Sequence, residues 1–231
     1  KKHIRSVVDH PIIHIVNSTL SGGLLPSLIA HNPSQDEETR LIARQTWQRH
    51  LPYILDIDIE LFSPIVTIFS YETQKHIQEM NRSDWLILGF APIASPQSFP
   101  TWSWMLPYIL IDQFYTLIGL SDVAIVRWEV SLVSTLQLWT PFCWDMYKGK
   151  GGWNTHEFES FLSWMSPSFD ACNEDDLFQS YTQSSRVLNE QWYIGPDDIE
   201  MLMTEWAKKV FRHAAKRANE RSLIKTILNF V

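Results

Sequence analysis

The residues of this chain best suited to chemistry by type and spacing are Asp197, Asp198 and Glu200, followed by Glu205. Carboxylates repeated at helical spacing can hold a magnesium ion against a diphosphate, because hard cations prefer oxygen donors. An acidic helix N-terminus accounts for Asp197 and Asp198 equally well, since carboxylates there meet the positive end of the helix dipole. His31, in the stretch IAHNPSQDEETRL, is a second candidate. As an ordinary loop histidine it faces solvent or makes a hydrogen bond. As a zinc ligand it needs donors from another chain, because structural zinc takes a tetrahedral set and neither Cys143 nor Cys172 is near in sequence. His156 and Glu157 in HEFE lack the second histidine of H-E-x-x-H and read as a surface histidine beside a capping carboxylate. The KGKGG run at 148–152 lacks both the P-loop sequence and a preceding strand, and reads as a loop. A basic stretch from Lys208 to Lys225 could touch nucleic acid, although such runs are usually solvated helix faces. No G-x-S-x-G elbow is present.

Helical signals dominate the elements that would position these groups. Ser34 and Glu37 stand in the S-x-x-E relation of a capping box, opening a helix that runs to about His50. Ser63 with Pro64 predicts a helix start, and Ile65, Ile68, Phe69, Glu72 and His76 carry it to Met80. Ser83 and Asp84 open a short helix through Phe90, followed by a loop at Pro92, Pro96 and Pro100. An aromatic helix follows, ending at Gly119, and Ser121-Asp122 caps another that runs to Trp139. Asn154 and Glu157 begin a helix that ends at Ser166-Pro167, and a further helix runs from Asp175 into the 186–190 region. Gly195-Pro196 starts one with Ile199, Leu202, Met203, Trp206, Val210 and Phe211 on its apolar face, and Ser222 caps a last one. The acid–Ile alternation at 56–60 is the only strand-like pattern, and it is short. The expectation is an all-α fold, a single helical domain over residues 1–231 with roughly eight to ten helices.

Bulk properties narrow the classes. A chain of 231 residues, 45% hydrophobic and 19% charged, has the composition of a globular protein. Eleven Trp and twelve Phe are an excess of the side chains that anchor both cores and protein-binding pockets. A formal charge of −7 argues against a general phosphate-binding surface, so no direct nucleic-acid role is expected. Two cysteines cannot build a framework of several disulfides, which suits an intracellular protein. The longest apolar runs are short of the roughly 20 residues that cross a bilayer, so no membrane association is expected. With Lys1 in first place, the chain reads as part of a larger protein.

Two resemblances follow. Asp197, Asp198, Glu200 and Glu205 resemble the magnesium motif of class I terpene synthases, an all-α family, but Met201 stands where that motif has Ser or Thr and no DDxxD partner lies upstream. The acidic, Trp-rich, cysteine-poor character with a solitary histidine in IAHNPSQDEE resembles the bridging subunit of fission-yeast shelterin, whose fold is similar to the telomere-repeat-factor homology domain. That resemblance implies a non-enzymatic homodimer that docks peptide segments of two protein partners in the nucleus. It also implies that His31 contributes to a zinc shared with Cys and His of one partner. The leading expectation is therefore a telomeric protein–protein interaction scaffold. The alternatives are an all-α isoprenoid-synthase-like enzyme and a regulatory domain of a larger nuclear protein.

Overall fold

The computed structural model describes residues 64–69, 71–79, 82–90, 97–99, 103–106, 117–127, 129–146 and 155–220. Its framework is a six-stranded sheet. The strands are β1 (Ile65–Ile68), β2 (Leu86–Phe90), β3 (Gln97–Phe99), β4 (Ser103–Leu106), β5 (Val123–Val126) and β6 (Phe142–Trp144). Their order across the sheet is β3-β4-β2-β1-β5-β6. All neighbouring pairs are parallel except β3, which runs antiparallel to β4. The helices are α1 (Tyr71–Glu79), α2 (Glu129–Gln137), α3 (Thr155–Asp170), α4 (Asp175–Gln191), α5 (Pro196–Met203) and α6 (Glu205–Glu220), with a helical turn at 117–120.

This is an α/β fold, not the expected all-α one. The expected helix over 63–80 divides into β1 and α1, that over 83–90 becomes β2, the aromatic helix contains β4, and that over 121–139 divides into β5 and α2. The physical reason lies in the central strands. IVTI, LILGF and VAIV are short apolar runs buried on both faces, as parallel strands covered by helices must be. Such a run has no alternation, so apolar residues at i, i+3 and i+4 can be picked from it as a false helical stripe. Asp122, expected to cap a helix, instead accepts a hydrogen bond from the Ile65 backbone N–H at 2.9 Å and so ties β5 to β1.

The C-terminal helices agree better with their sequence signals. α4 spans the predicted segment, while α3 passes through Pro167 to Asp170. Proline there removes one i→i−4 hydrogen bond and crowds the carbonyl four residues earlier, a cost set against the burial of Ser168 and Phe169 beyond it. Arg217 of α6 donates to the Trp164 carbonyl and to Ser168 Oγ, each at 2.9 Å, and so braces that turn. The long helix expected from Pro196 breaks at Thr204, whose backbone is extended. Thr204 Oγ1 accepts from the Ala207 N–H at 3.2 Å and caps α6.

One face of the sheet presents Val66, Ile68 and Ile87 to Ile77 of α1, within a cluster that continues into α3, α4 and α6. The other presents Ile65, Leu86 and Leu88 to Leu117 and Leu120. Phe142 of β6 lies 5.0 Å from Phe211 and Trp144 lies 5.3 Å from Phe161, both edge to face. Among the described residues most of the aromatic side chains pack into the core, each buried ring contributing about 1.5–3 kcal/mol. Among the described residues only Tyr193 and Trp206, 45% and 57% exposed, are large apolar side chains open to solvent.

Candidate active site

Strand order reverses between β1 and β5. From β1 the chain proceeds to β2 and β4 on one side, and from β5 to β6 on the other. In such sheets the strand ends part at the reversal and leave a crevice outside their carboxyl ends, where ligands bind. The Phe69 N–H donates to Ile125 O at 2.9 Å and closes the floor of this crevice. Around it stand the first turn of α1, the β5 terminus at Arg127, the start of α2 at Glu129, and Asp145 beyond β6. Phe69 and Phe90, following β1 and ending β2, stack with centroids 5.2 Å apart and planes at 4°. Arg127 is partly exposed beside the strand ends, where a guanidinium can neutralise a phosphate group.

The first turn of α1 is tied to both halves of the sheet. Thr73 Oγ1 donates to Asp145 Oδ2 at 3.1 Å, reaching past β5 to the carboxyl end of β6. Gln74, buried, donates through Nε2 to Ser103 Oγ at 3.5 Å and the Trp104 carbonyl at 3.4 Å on β4. Its amide occupies the space above Gly89 where a side chain would otherwise stand. Asp145 is held in turn by the backbone on either side of it. Asn189 of α4, fully buried, donates to Trp144 O at 2.7 Å and accepts from the Met146 N–H at 2.8 Å. Asp145 N–H donates to Val126 O at 2.8 Å, and Trp144 Nε1 to Arg127 O at 3.2 Å.

The sites read from sequence do not assemble here. Asp198 accepts from the Gly195 N–H at 2.8 Å and from Ser184 Oγ, which makes it a helix cap. Glu200 pairs with Arg82 at 2.9 Å and Glu205 with Lys208 at 2.7 Å. The magnesium reading therefore fails: these carboxylates cap and pair rather than converge. Among the described residues no cluster of three or more His, Cys, Asp or Glu could hold a metal. His156 and Glu157 are exposed on the first turn of α3. The basic run is largely engaged, with Lys209 over Trp206, Arg212 over Trp139 and Arg217 over Trp164. His31, Ser34 and KGKGG lie outside the described residues.

Charge is also perturbed away from the crevice. The Arg82 guanidinium, bonded to Asp84 and Glu200, is held above its ordinary pKa, and it pulls the Asp84 carboxyl below the usual carboxylate range. Burial pushes the Cys143 thiol up to about 12 and raises the Tyr181 phenol well above its ordinary value. Neither cysteine is in a disulfide. An open depression of about 560 Å³ at the α3–α4 turn is lined by Asp170, Asn173, Glu174, Asp175 and Asp176. Its acidic lining would repel a phosphate, so size does not make it the site.

Sequence reasoning missed Thr73, Gln74, Arg127 and Asp145. The available signal was VAIV bounded by Ser121-Asp122 and Arg127: a short β-branched run between polar residues, consistent with a buried strand whose carboxyl end faces a crevice.

Strand order and the reversal between β1 and β5 together define a doubly wound α/β domain. Residues 72–231 match the family model described as elongation-factor P (EF-P) rhamnosyltransferase EarP. The chain belongs to the EarP family. A solved structure presented as the structural basis for EarP-mediated arginine glycosylation of translation elongation factor EF-P is similar, with a TM-score of 0.56 and 16% identity. The match covers 89% of this chain and 70% of that one. At that identity the likeness carries the fold alone, an α/β arrangement. No curated protein matches.

Family membership overturns the resemblance to shelterin and, with it, the non-enzymatic telomeric scaffold, because the family is one of enzymes. The terpene-synthase alternative falls with the all-α fold, and the nuclear regulatory domain gains no support. The shelterin resemblance no longer speaks for a zinc at His31, and His31 itself lies outside the described residues.

Proposed function

We propose that this chain is a glycosyltransferase that moves a rhamnosyl group from a nucleoside-diphosphate donor to an arginine side chain of elongation factor P. The observation that carries this is the family match over residues 72–231, which takes in almost all of the described fold. The crevice between β1 and β5 supports it, being the place where a sheet of this order accommodates a nucleotide.

In the reaction the anomeric carbon–oxygen bond to the diphosphate breaks and a bond from that carbon to a guanidine nitrogen forms. The bonding pair leaves with the nucleoside diphosphate, and the nitrogen gives up a proton. A free guanidinium keeps its proton at neutral pH, so a base must take it as the new bond forms. The anionic leaving group needs stabilisation; the first turns of α1 and α2 and Arg127 follow the carboxyl ends of β1 and β5, from which backbone amides and a cation can supply it. A protein partner is retained from the sequence reading, now as acceptor substrate. An intracellular location suits a translation factor as that acceptor. Homodimerisation and capture of short peptides are not part of the proposal.

Incubating the purified protein with elongation factor P and nucleoside-diphosphate rhamnose tests this by intact-mass and peptide-mapping spectrometry. The expected product carries one deoxyhexose on an arginine. An acceptor mass unchanged with every nucleoside-diphosphate rhamnose would overturn the reading.

A further inference from the structure

The residues behind the crevice form a chain of contacts linking the C-terminal helices to its opposite wall. Asn189 of α4 holds the backbone before and after Asp145, at Trp144 O and Met146 N. The Asp145 carboxylate then receives the Thr73 hydroxyl from the first turn of α1. Asn189, Asp145 and Thr73 are all fully buried. A carboxylate without solvent contact does not meet a ligand in the crevice directly; its influence passes through the groups it holds. What it holds is the turn whose backbone N–H groups a helix N-terminus leaves unpaired, at the mouth of the switch point.

We propose that Asp145 is a positioning residue of the transfer site: through Thr73 it fixes the first turn of α1 against the β5 and β6 ends, so that the nucleotide part of the donor meets a preorganised wall. This rests on the glycosyltransferase reading above. The linkage spans strands that are not neighbours, since α1 follows β1 and Asp145 follows β6, with β5 between them. Sheet hydrogen bonds alone cannot set the distance from α1 to the β6 end. A hydrogen bond across the gap can, because its strength depends on geometry.

The experiment is a mutant cycle over Thr73→Val, Asp145→Ala and the double variant, with Thr73→Ser as the conservative control. Donor KM, kcat, nucleoside-diphosphate affinity by calorimetry and amide exchange of the α1 first turn are measured on each. Thr73→Val and Asp145→Ala are expected to raise donor KM and nucleotide Kd up to about tenfold, the scale of one buried hydrogen bond, with a smaller change in kcat. They should also speed exchange in the first turn. The double variant should be no worse than the more affected single one, since both remove the same contact. Thr73→Ser should behave like wild type.

A general loss of fold would lower the active fraction and the thermal midpoint without moving KM selectively. Should Asp145→Ala fail to fold, Thr73→Val, which keeps shape and loses only the hydroxyl, decides alone. The proposal is overturned if folded Thr73→Val binds nucleotide within about twofold of wild type, or if the single effects multiply in the double variant. A wild-type protein that binds no nucleoside diphosphate overturns instead the reading on which the proposal rests.

Discussion

At position 89 of β2 a side chain would run into the amide of Gln74, which is buried and bonded to Ser103 and the Trp104 carbonyl. Gly89→Ala forces that amide out of place, and urea denaturation is expected to show a loss of about 1–3 kcal/mol, the usual cost of overpacking. Cys143 sits fully buried in β6 with its thiol pushed up to about 12, chiefly by desolvation. Because the folded state keeps the proton that an unfolded thiol would lose, this contribution to stability is complete below the ordinary value of 9.0. It is lost as pH rises from there through about 12. Unfolding free energy should therefore decline over that alkaline interval, and less steeply in Cys143→Ala, as followed by denaturant titration at each pH. None of these residues carried a motif. Gly89 and Gln74 are fifteen positions apart in sequence, and only the packing of α1 on β2 brings them together.

Among the elements, the C-terminal helices were legible because each buries one stripe and exposes the rest, so the 3.6-residue period survives in α3, α4 and α6. The central strands were not, because burial on both faces erases alternation. Asp198 belongs to this scale. Its spacing suits a magnesium ligand, yet it closes the first turn of α5 and accepts from Ser184 of α4. Asp198→Ala should cost about 1 kcal/mol as a lost cap, and added magnesium should leave the melting temperature of both proteins unchanged in calorimetry. Arg217 braces the proline-containing end of α3 through two hydrogen bonds and lies over Trp164, with 5.2 Å to its centroid. Arg217→Met should lower stability by about 1–2 kcal/mol, from lost hydrogen bonds and cation–π attraction, without altering nucleotide affinity.

For the whole molecule, a ligand that binds only the folded state must stabilise it by mass action. A nucleoside diphosphate at about 100 times its Kd should add about 2.7 kcal/mol and raise the melting temperature with concentration, whereas inorganic phosphate alone should do less. A scan of melting temperature against nucleotide concentration checks this. The sequence by itself determined a globular, aromatic-rich, acidic chain with amphipathic helices toward its C-terminus, because composition and helical periodicity are local properties. Only the tertiary structure decided that four-residue apolar runs pair as parallel strands, since parallel pairing joins segments tens of residues apart through hydrogen bonds that leave no local pattern. The strand order and its reversal between β1 and β5 were decided there too. That reversal brings Thr73 and Asp145, 72 positions apart, to one crevice.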